Sequence, residues 1–301
     1  MQKSTIITSA DSPAEGFDGI LYPAINASGN SRYDKVVITL SGSEGGLHNA
    51  ERMARFLCKH GIPALALGYF RTSHTGKDMS RIPLEYIERA THWLQKLGYE
   101  NIAVQGISRG AEYAAAAAVH FPQISCVILR APSWFYGEGL IKNNPSGASC
   151  WSLRGKELPY APFAERNFTR RRRHEANSSH LRASAKSAPL LTAAPAPESC
   201  EKSAIPLEKA NGPVLILSTE ADTVLPSVQS AQTLEARLSE FGFPYPHKHI
   251  CYRRMSHIML ENASRFAREV FSSEKEYPDE CASERKSMGK AVIHWLEDIW
   301  K

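Results

Sequence analysis

The residues best suited to chemistry in this chain sit in one pentapeptide, Gly106-Ile107-Ser108-Arg109-Gly110. A serine between glycines at this spacing serves as a nucleophile when it stands on a sharp turn from strand to helix. The flanks supply that context. Ile102, Ala103 and Val104 form an apolar run that predicts a buried strand, and the alanine-rich run from Ala111 to Val119 predicts a helix. So tight a turn strains the backbone at Ser108 and holds its hydroxyl clear of the sheet edge. The two glycines leave it room.

A serine hydroxyl attacks poorly until a histidine takes its proton and a carboxylate orients that histidine. In an open parallel sheet such groups gather beyond the carboxyl ends of the strands. The apolar run Val214 to Leu217 leads into Ser218-Thr-Glu-Ala-Asp222, which makes Asp222 the expected acid and Glu220 its rival. The run His249 to Tyr252 leads into Arg253-Arg-Met-Ser-His257, which makes His257 the expected base. His247 and His249 lie before or within that strand, and His120 ends the helix on the far side of the elbow. An acyl intermediate also needs two backbone N–H groups for its oxyanion. Arg109 should supply one. The glycine-rich stretch Ser41-Gly-Ser-Glu-Gly-Gly46 should supply the other, from Ser43 or else Glu44. It lacks the Lys-Ser/Thr of a phosphate loop and the spacing of a dinucleotide fingerprint.

The elements that must hold these groups recur along the chain. Strand-like runs at Val36 to Leu40, Ile62 to Gly68, Ile102 to Val104, Ile124 to Leu129, Val214 to Leu217 and His249 to Tyr252 alternate with helical periods. The helices are expected at His48 to His60, Pro83 to Leu97, Ala111 to Val119, Ser227 to Phe241 and about Asp279 to Trp300. For the second helix, a proline opening and an inward stripe of Tyr86, Ala90, Trp93 and Leu97 are expected. Near-continuous apolar strands between helices define the α/β class, with a mostly parallel sheet covered on both faces. The single domain spans residues 1–301. Residues 137–212 break the alternation with a basic run and a Pro/Ala/Ser-rich tract, and read as an inserted lid or cap.

The bulk properties fit a large soluble domain. The chain has 301 residues, is 43% hydrophobic and carries a formal charge of +5. It has no run of 18 apolar residues, so no membrane insertion is expected. The polar N-terminus is unlike a signal peptide. Six scattered cysteines form no C-x-x-C pair, so no metal is expected; a reducing cytoplasm suits them, with Cys126 and Cys251 as buried thiols. Much of the charge excess lies in Arg170, Arg171, Arg172 and Arg173. Such a run suits a phosphorylated ligand or a solvated loop, and no nucleic-acid motif accompanies it.

Several linked stretches resemble one family. They are Ser41-Gly-Ser-Glu-Gly-Gly, Leu65-Ala-Leu-Gly-Tyr-Phe, Ile82-Pro-Leu-Glu-Tyr-Ile, Gly106-Ile-Ser-Arg-Gly-Ala-Glu, Phe121-Pro-Gln-Ile-Ser, and Ile205-Pro-Leu-Glu-Lys before Gly212-Pro-Val-Leu-Ile. Together they look like the catalytic domain shared by acyl-CoA thioesterases and bile acid-CoA:amino acid N-acyltransferases. The resemblance covers roughly residues 35–140 and 203–260. It implies an α/β-hydrolase fold and acyl transfer from a thioester, with Ser108, Asp222 and His257 at the nucleophile, acid and base positions. The longer members carry an N-terminal β-sandwich. Here about 34 residues precede Lys35, enough for one or two strands around Gly19-Ile-Leu-Tyr22, as in a short, single-domain bacterial-type member. The arginine run and the stretch Ile258-Met-Leu-Glu-Asn depart from the family.

The expected reaction is hydrolysis of an acyl-CoA thioester through an acyl-Ser108 intermediate, with no cofactor. The family's N-acyltransferase branch carries cysteine at the nucleophile position. A serine acyl-enzyme is an oxygen ester, less open to amines than a thioester, so Ser108 favours water over an amine acceptor. A carboxylesterase or dienelactone-hydrolase-like enzyme acting on small esters would use the same triad. A non-catalytic binding module on the same fold is the remaining reading. Acyl specificity and oligomeric state are not encoded in these patterns.

Overall fold

A computed structural model describes residues 5–7, 16–24, 34–163, 195–262 and 265–301. Its centre is an eight-stranded sheet in the order β1-β2-β4-β3-β6-β7-β12-β13. The strands are β1 (Thr5–Ile7), β2 (Asp18–Tyr22), β3 (Lys35–Leu40), β4 (Ala64–Gly68), β6 (Asn101–Ile107), β7 (Ile124–Arg130), β12 (Val214–Thr219) and β13 (His247–Tyr252). From β4 to β13 every pairing is parallel. The two N-terminal strands join antiparallel at one edge. The extra strand expected around residues 19–22 is therefore β2.

The strands alternate their side chains between two apolar layers, as the period of two requires. On β3, Val36, Ile38 and Leu40 enter one core and Val37 the other. The first core is closed by α2 (Glu85–Lys96), α3 (Arg109–His120) and α5 (Ser227–Glu240). The second is closed by α1 (His48–Lys59), α8 (Pro278–His294) and the π-turn Trp295–Ile299. Both faces are thus covered, which is why these strands read as nearly continuous apolar runs. Thr39, polar and fully buried on β3, stays bonded through Oγ1 to the carbonyl of Ala50 at 2.8 Å.

Three expectations are corrected. The second helix starts at Glu85, and Ile82–Pro83 is instead a short strand, β5, parallel to β10 (Trp151–Leu153). On that helix Ile87, Ala90, Thr91 and Leu94 are buried and Tyr86 and Trp93 are half-buried against the same core, while Leu97 is 45% exposed. Leu97 lies just past the last helical residue, Lys96, and so leaves the core-facing stripe. Cys251 is exposed, because β13 is the sheet's edge strand; Cys126, on inner strand β7, is buried as expected.

Within 137–212, the described part carries more regular structure than its composition suggests. β8 (Glu138–Ile141) and β9 (Asn144–Ser149) form a hairpin whose turn residues Lys142 and Asn143 take φ of 48° and 62°. Positive φ at both turn positions matches the twist of a two-residue hairpin. β10 also pairs with β11 (Lys156–Glu157), and α4 (Pro197–Lys202) leads back towards β12; a short helix, α6 (Arg265–Val270), follows β13. Trp151 packs against Tyr113 of α3, with ring centroids 4.9 Å apart and the planes tilted by 35°. The arginines at 170–173 lie outside the described residues.

Candidate active site

The elbow has the geometry its sequence demands. Ser108, between β6 and α3, takes φ 57° and ψ −122°. Few residues other than glycine adopt such angles, and the cost is about 1–3 kcal/mol. The surroundings impose it. The Ser108 amide donates to the carbonyl of Arg130 at 2.8 Å, and its own carbonyl accepts from the amides of Ala111 and Glu112 at 2.9 and 3.2 Å. A Cβ on Gly106 would stand 2.0 Å from the carbonyl oxygen of Gly110. Only glycine permits the chain to fold back this closely.

The loop 41–46 presses against the elbow. A Cβ on Gly42 would lie 3.3 Å from the Cβ of Ser108. The hydroxyl of Tyr69 donates to the carbonyls of Ser41 and Gly42, at 2.6 and 3.1 Å. Burial pushes the Tyr69 phenol well up, so it remains a neutral donor. Among the described residues, the amides of Ser43, Glu44 and Arg109 find no acceptor. Such unpaired N–H groups beside a nucleophile are what an oxyanion requires. The Glu44 side chain does something sequence did not suggest: its Oε1 accepts from the amide of Gly42 at 3.0 Å and from Asn49 Nδ2 at 2.7 Å.

Asp222 and His257, 35 residues apart, meet beyond the ends of β12 and β13. His257 Nδ1 lies 2.8 Å from Asp222 Oδ2 and 3.0 Å from Oδ1. Oδ1 also accepts the amides of Val224 and Leu225, both at 2.9 Å. Burial pushes the Asp222 carboxyl up, but His257 and the Leu225 amide outweigh it and hold the group below the usual carboxylate value. An ionised Asp222 keeps the proton on Nδ1 and leaves Nε2 as the basic nitrogen. Glu220, the rival acid, is exposed and only its amide is tied down, to the carbonyl of Tyr252. No hydrogen bond joins Ser108 to His257 among the described residues.

The Arg109 side chain is also unforeseen. It is buried against Glu112, with Nη1 2.8 Å from Oε2. The other oxygen of Glu112 accepts from Trp151 Nε1 at 2.6 Å and from the amide of Gly137 at 2.7 Å. Glu112 thereby ties the elbow helix to the 137–163 segment. In the sequence Glu112 is the one charged residue of the alanine-rich run from Ala111 to Val119. A cavity of about 260 Å³ opens beside Arg109, walled by Trp134, Phe135, Phe163, Leu225 and Pro226. Among the described residues no His, Cys, Asp and Glu side chains cluster as a metal site would need. No described helix is long and apolar enough to cross a membrane.

Sheet order, elbow and flanking helices define the α/β-hydrolase fold. An Agrobacterium tumefaciens protein of unknown function superimposes with a TM-score of 0.55 at 13% identity, covering 99% of each chain. Residues 82–261 match the family model "BAAT / Acyl-CoA thioester hydrolase C terminal", and the chain belongs to that family. Acyl-coenzyme A amino acid N-acyltransferase 1 of Mus musculus is 27% identical over 209 residues, 68% of this chain and 44% of that protein. Acyl-coenzyme A thioesterase 6 of Homo sapiens is 33% identical over 96 residues, 31% of this chain and 22% of that protein. The chain thus spans less than half the length of these relatives.

Proposed function

We propose that this chain is a serine hydrolase that cleaves acyl-CoA thioesters through Ser108, His257 and Asp222. The observation that carries the reading is the strained Ser108 on its elbow, beside free amides of the 41–46 loop, with the buried Asp222–His257 pair beyond β12 and β13 of the same sheet. His257 Nε2 takes the Ser108 proton as Oγ attacks the thioester carbonyl. The amide of Arg109 and that of Ser43 or Glu44 hold the oxyanion. The carbon–sulfur bond breaks, and His257 returns the proton to the departing sulfur. Water, deprotonated by the same nitrogen, then releases the acid and restores Ser108. Asp222 stays ionised and stabilises the imidazolium in both steps.

The 260 Å³ cavity would take the acyl group, since its walls are mainly apolar and it borders both the elbow and the loop after Asp222. Arg170, Arg171, Arg172 and Arg173, outside the described residues, would contact the CoA phosphates. A cytoplasmic setting suits a CoA substrate and the free thiols. Residues 137–212 would form the cap over the site.

Two relatives by name, one an N-acyltransferase and one a thioesterase, frame the alternatives. Serine at position 108 favours hydrolysis, because an oxygen ester resists aminolysis. The deciding measurement is kcat/KM across acyl-CoA thioesters, short oxygen esters and amine acceptors. A preference for simple esters over every acyl-CoA would overturn the thioester reading. Amide as the major product with glycine or taurine would overturn hydrolysis.

A further inference from the structure

His257 lies in an irregular stretch that is nonetheless buried: Met255, Ser256, Met259 and Leu260 are fully enclosed and His257 is 4% exposed. A buried loop must find partners for its peptide groups outside any strand or helix ladder. Here charged side chains from other elements supply them. Glu284 of α8 accepts the amides of Arg253, Arg254 and Met255, at 3.0, 2.9 and 2.7 Å. Arg130 of β7 donates to the carbonyl of Met259 at 3.1 Å and to Glu261 at 2.8 Å.

The residues on either side of His257 are held by a single ion pair. Glu274, in the short helix α7 (Ser272–Glu276), accepts the Ser256 amide at 3.0 Å and its hydroxyl at 2.7 Å. Arg285 of α8 donates to the carbonyls of Ile258 at 2.5 Å and Leu260 at 2.7 Å. Glu274 and Arg285 also bond to each other, with side chains 1% and 2% exposed. The pair therefore grips the chain one residue before and one residue after the histidine. Asp222 grips the imidazole itself.

We propose that Glu274 and Arg285 are positioning residues that set where His257 presents its Nε2. The proposal rests on His257 being the base. Carboxylate and guanidinium suit the task because each serves several bonds at fixed angles. A loop free to shift by about 1 Å would cost roughly 10²-fold in rate.

The test is the double variant Glu274→Gln/Arg285→Met, which removes both buried charges together and leaves neither unpaired. Thermal unfolding, kcat and KM for the best acyl-CoA, and the rate of Ser108 phosphonylation by a fluorophosphonate are measured. The pair Arg237→Met/Glu208→Gln, which removes an ion pair of α5 remote from the loop, is the control. The expected result is a folded protein with kcat and phosphonylation both lowered about 10²-fold and KM within about twofold. The control should keep its kcat. A folded double variant within about threefold of the parent overturns the proposal, as does an equal loss in the control. If the double variant does not fold, Arg285→Lys carries the test. It keeps the charge but not the forked reach to two carbonyls. It should lower kcat at least about fivefold, and unchanged kcat overturns the proposal. His257→Ala is run beside them. If it stays active, the reading of His257 as base has failed; if it is inactive while the clamp variants are not, only the clamp has.

Discussion

Gly110 lies so close to Ser41 that a Cβ on it would stand 2.2 Å from the Ser41 carbonyl oxygen and 2.7 Å from that of Leu40. The elbow helix and the 41–46 loop are therefore fitted backbone to backbone. Gly110→Ala should destabilise the protein by about 1–3 kcal/mol and lower kcat by more than the lost fold explains. Chemical denaturation with kcat per folded molecule checks this. An active variant of unchanged stability would show that the two segments can part.

Ser108→Ala should cut kcat by at least about 10⁴-fold without unfolding the chain. Relief of the φ of 57° contributes little, because alanine is strained there too. Reaction with a fluorophosphonate, read by intact mass, should vanish in the variant. Labelling that persists would place the nucleophile elsewhere.

Asp222→Asn should keep the loop geometry and lose about 10⁴-fold in kcat, whereas Glu220→Gln should stay near the parent. The same substitution has a pH signature. The Asp222 carboxyl is held below its ordinary 3.8, so its ionised form stabilises the native state. That contribution is complete above the unfolded value and is lost as pH falls through the lower folded one. The stability gap between parent and Asp222→Asn should therefore narrow below about pH 4. A gap constant down to pH 2 would contradict the assigned charge.

Ser230→Phe should fill part of the 260 Å³ cavity from α5. Each methylene denied burial costs about 0.8 kcal/mol, roughly fourfold. Long acyl chains should lose kcat/KM stepwise while the shortest keep theirs. An even loss across chain lengths would move the acyl group out of this cavity.

Neutralising Arg170, Arg171, Arg172 and Arg173 together should raise KM for acyl-CoA and leave an uncharged ester unaffected. The difference should shrink with added salt, which screens exposed charges beyond about 8 Å at physiological strength. An equal response of both substrates would remove the run from CoA binding.

Much of this molecule is legible from local pattern alone. The apolar periods locate the six strands from β3 to β13 of the main sheet, and the paired glycines single out the Ser108 elbow, because each signal is complete within a few residues. Asp222 and His257 could be picked because loops after parallel strands converge at one edge. Their contact, the Ser41–Gly110 fit and the Tyr69 bonds to the 41–46 loop were decided only by the fold, since each joins segments that carry no mark of one another. The same holds for Leu97 turned outward, for Cys251 on an edge strand, and for Glu274 and Arg285 about His257. Periodicity reports which side of an element is apolar. Which buried charge meets which peptide group depends on packing that closes only when the whole chain is assembled.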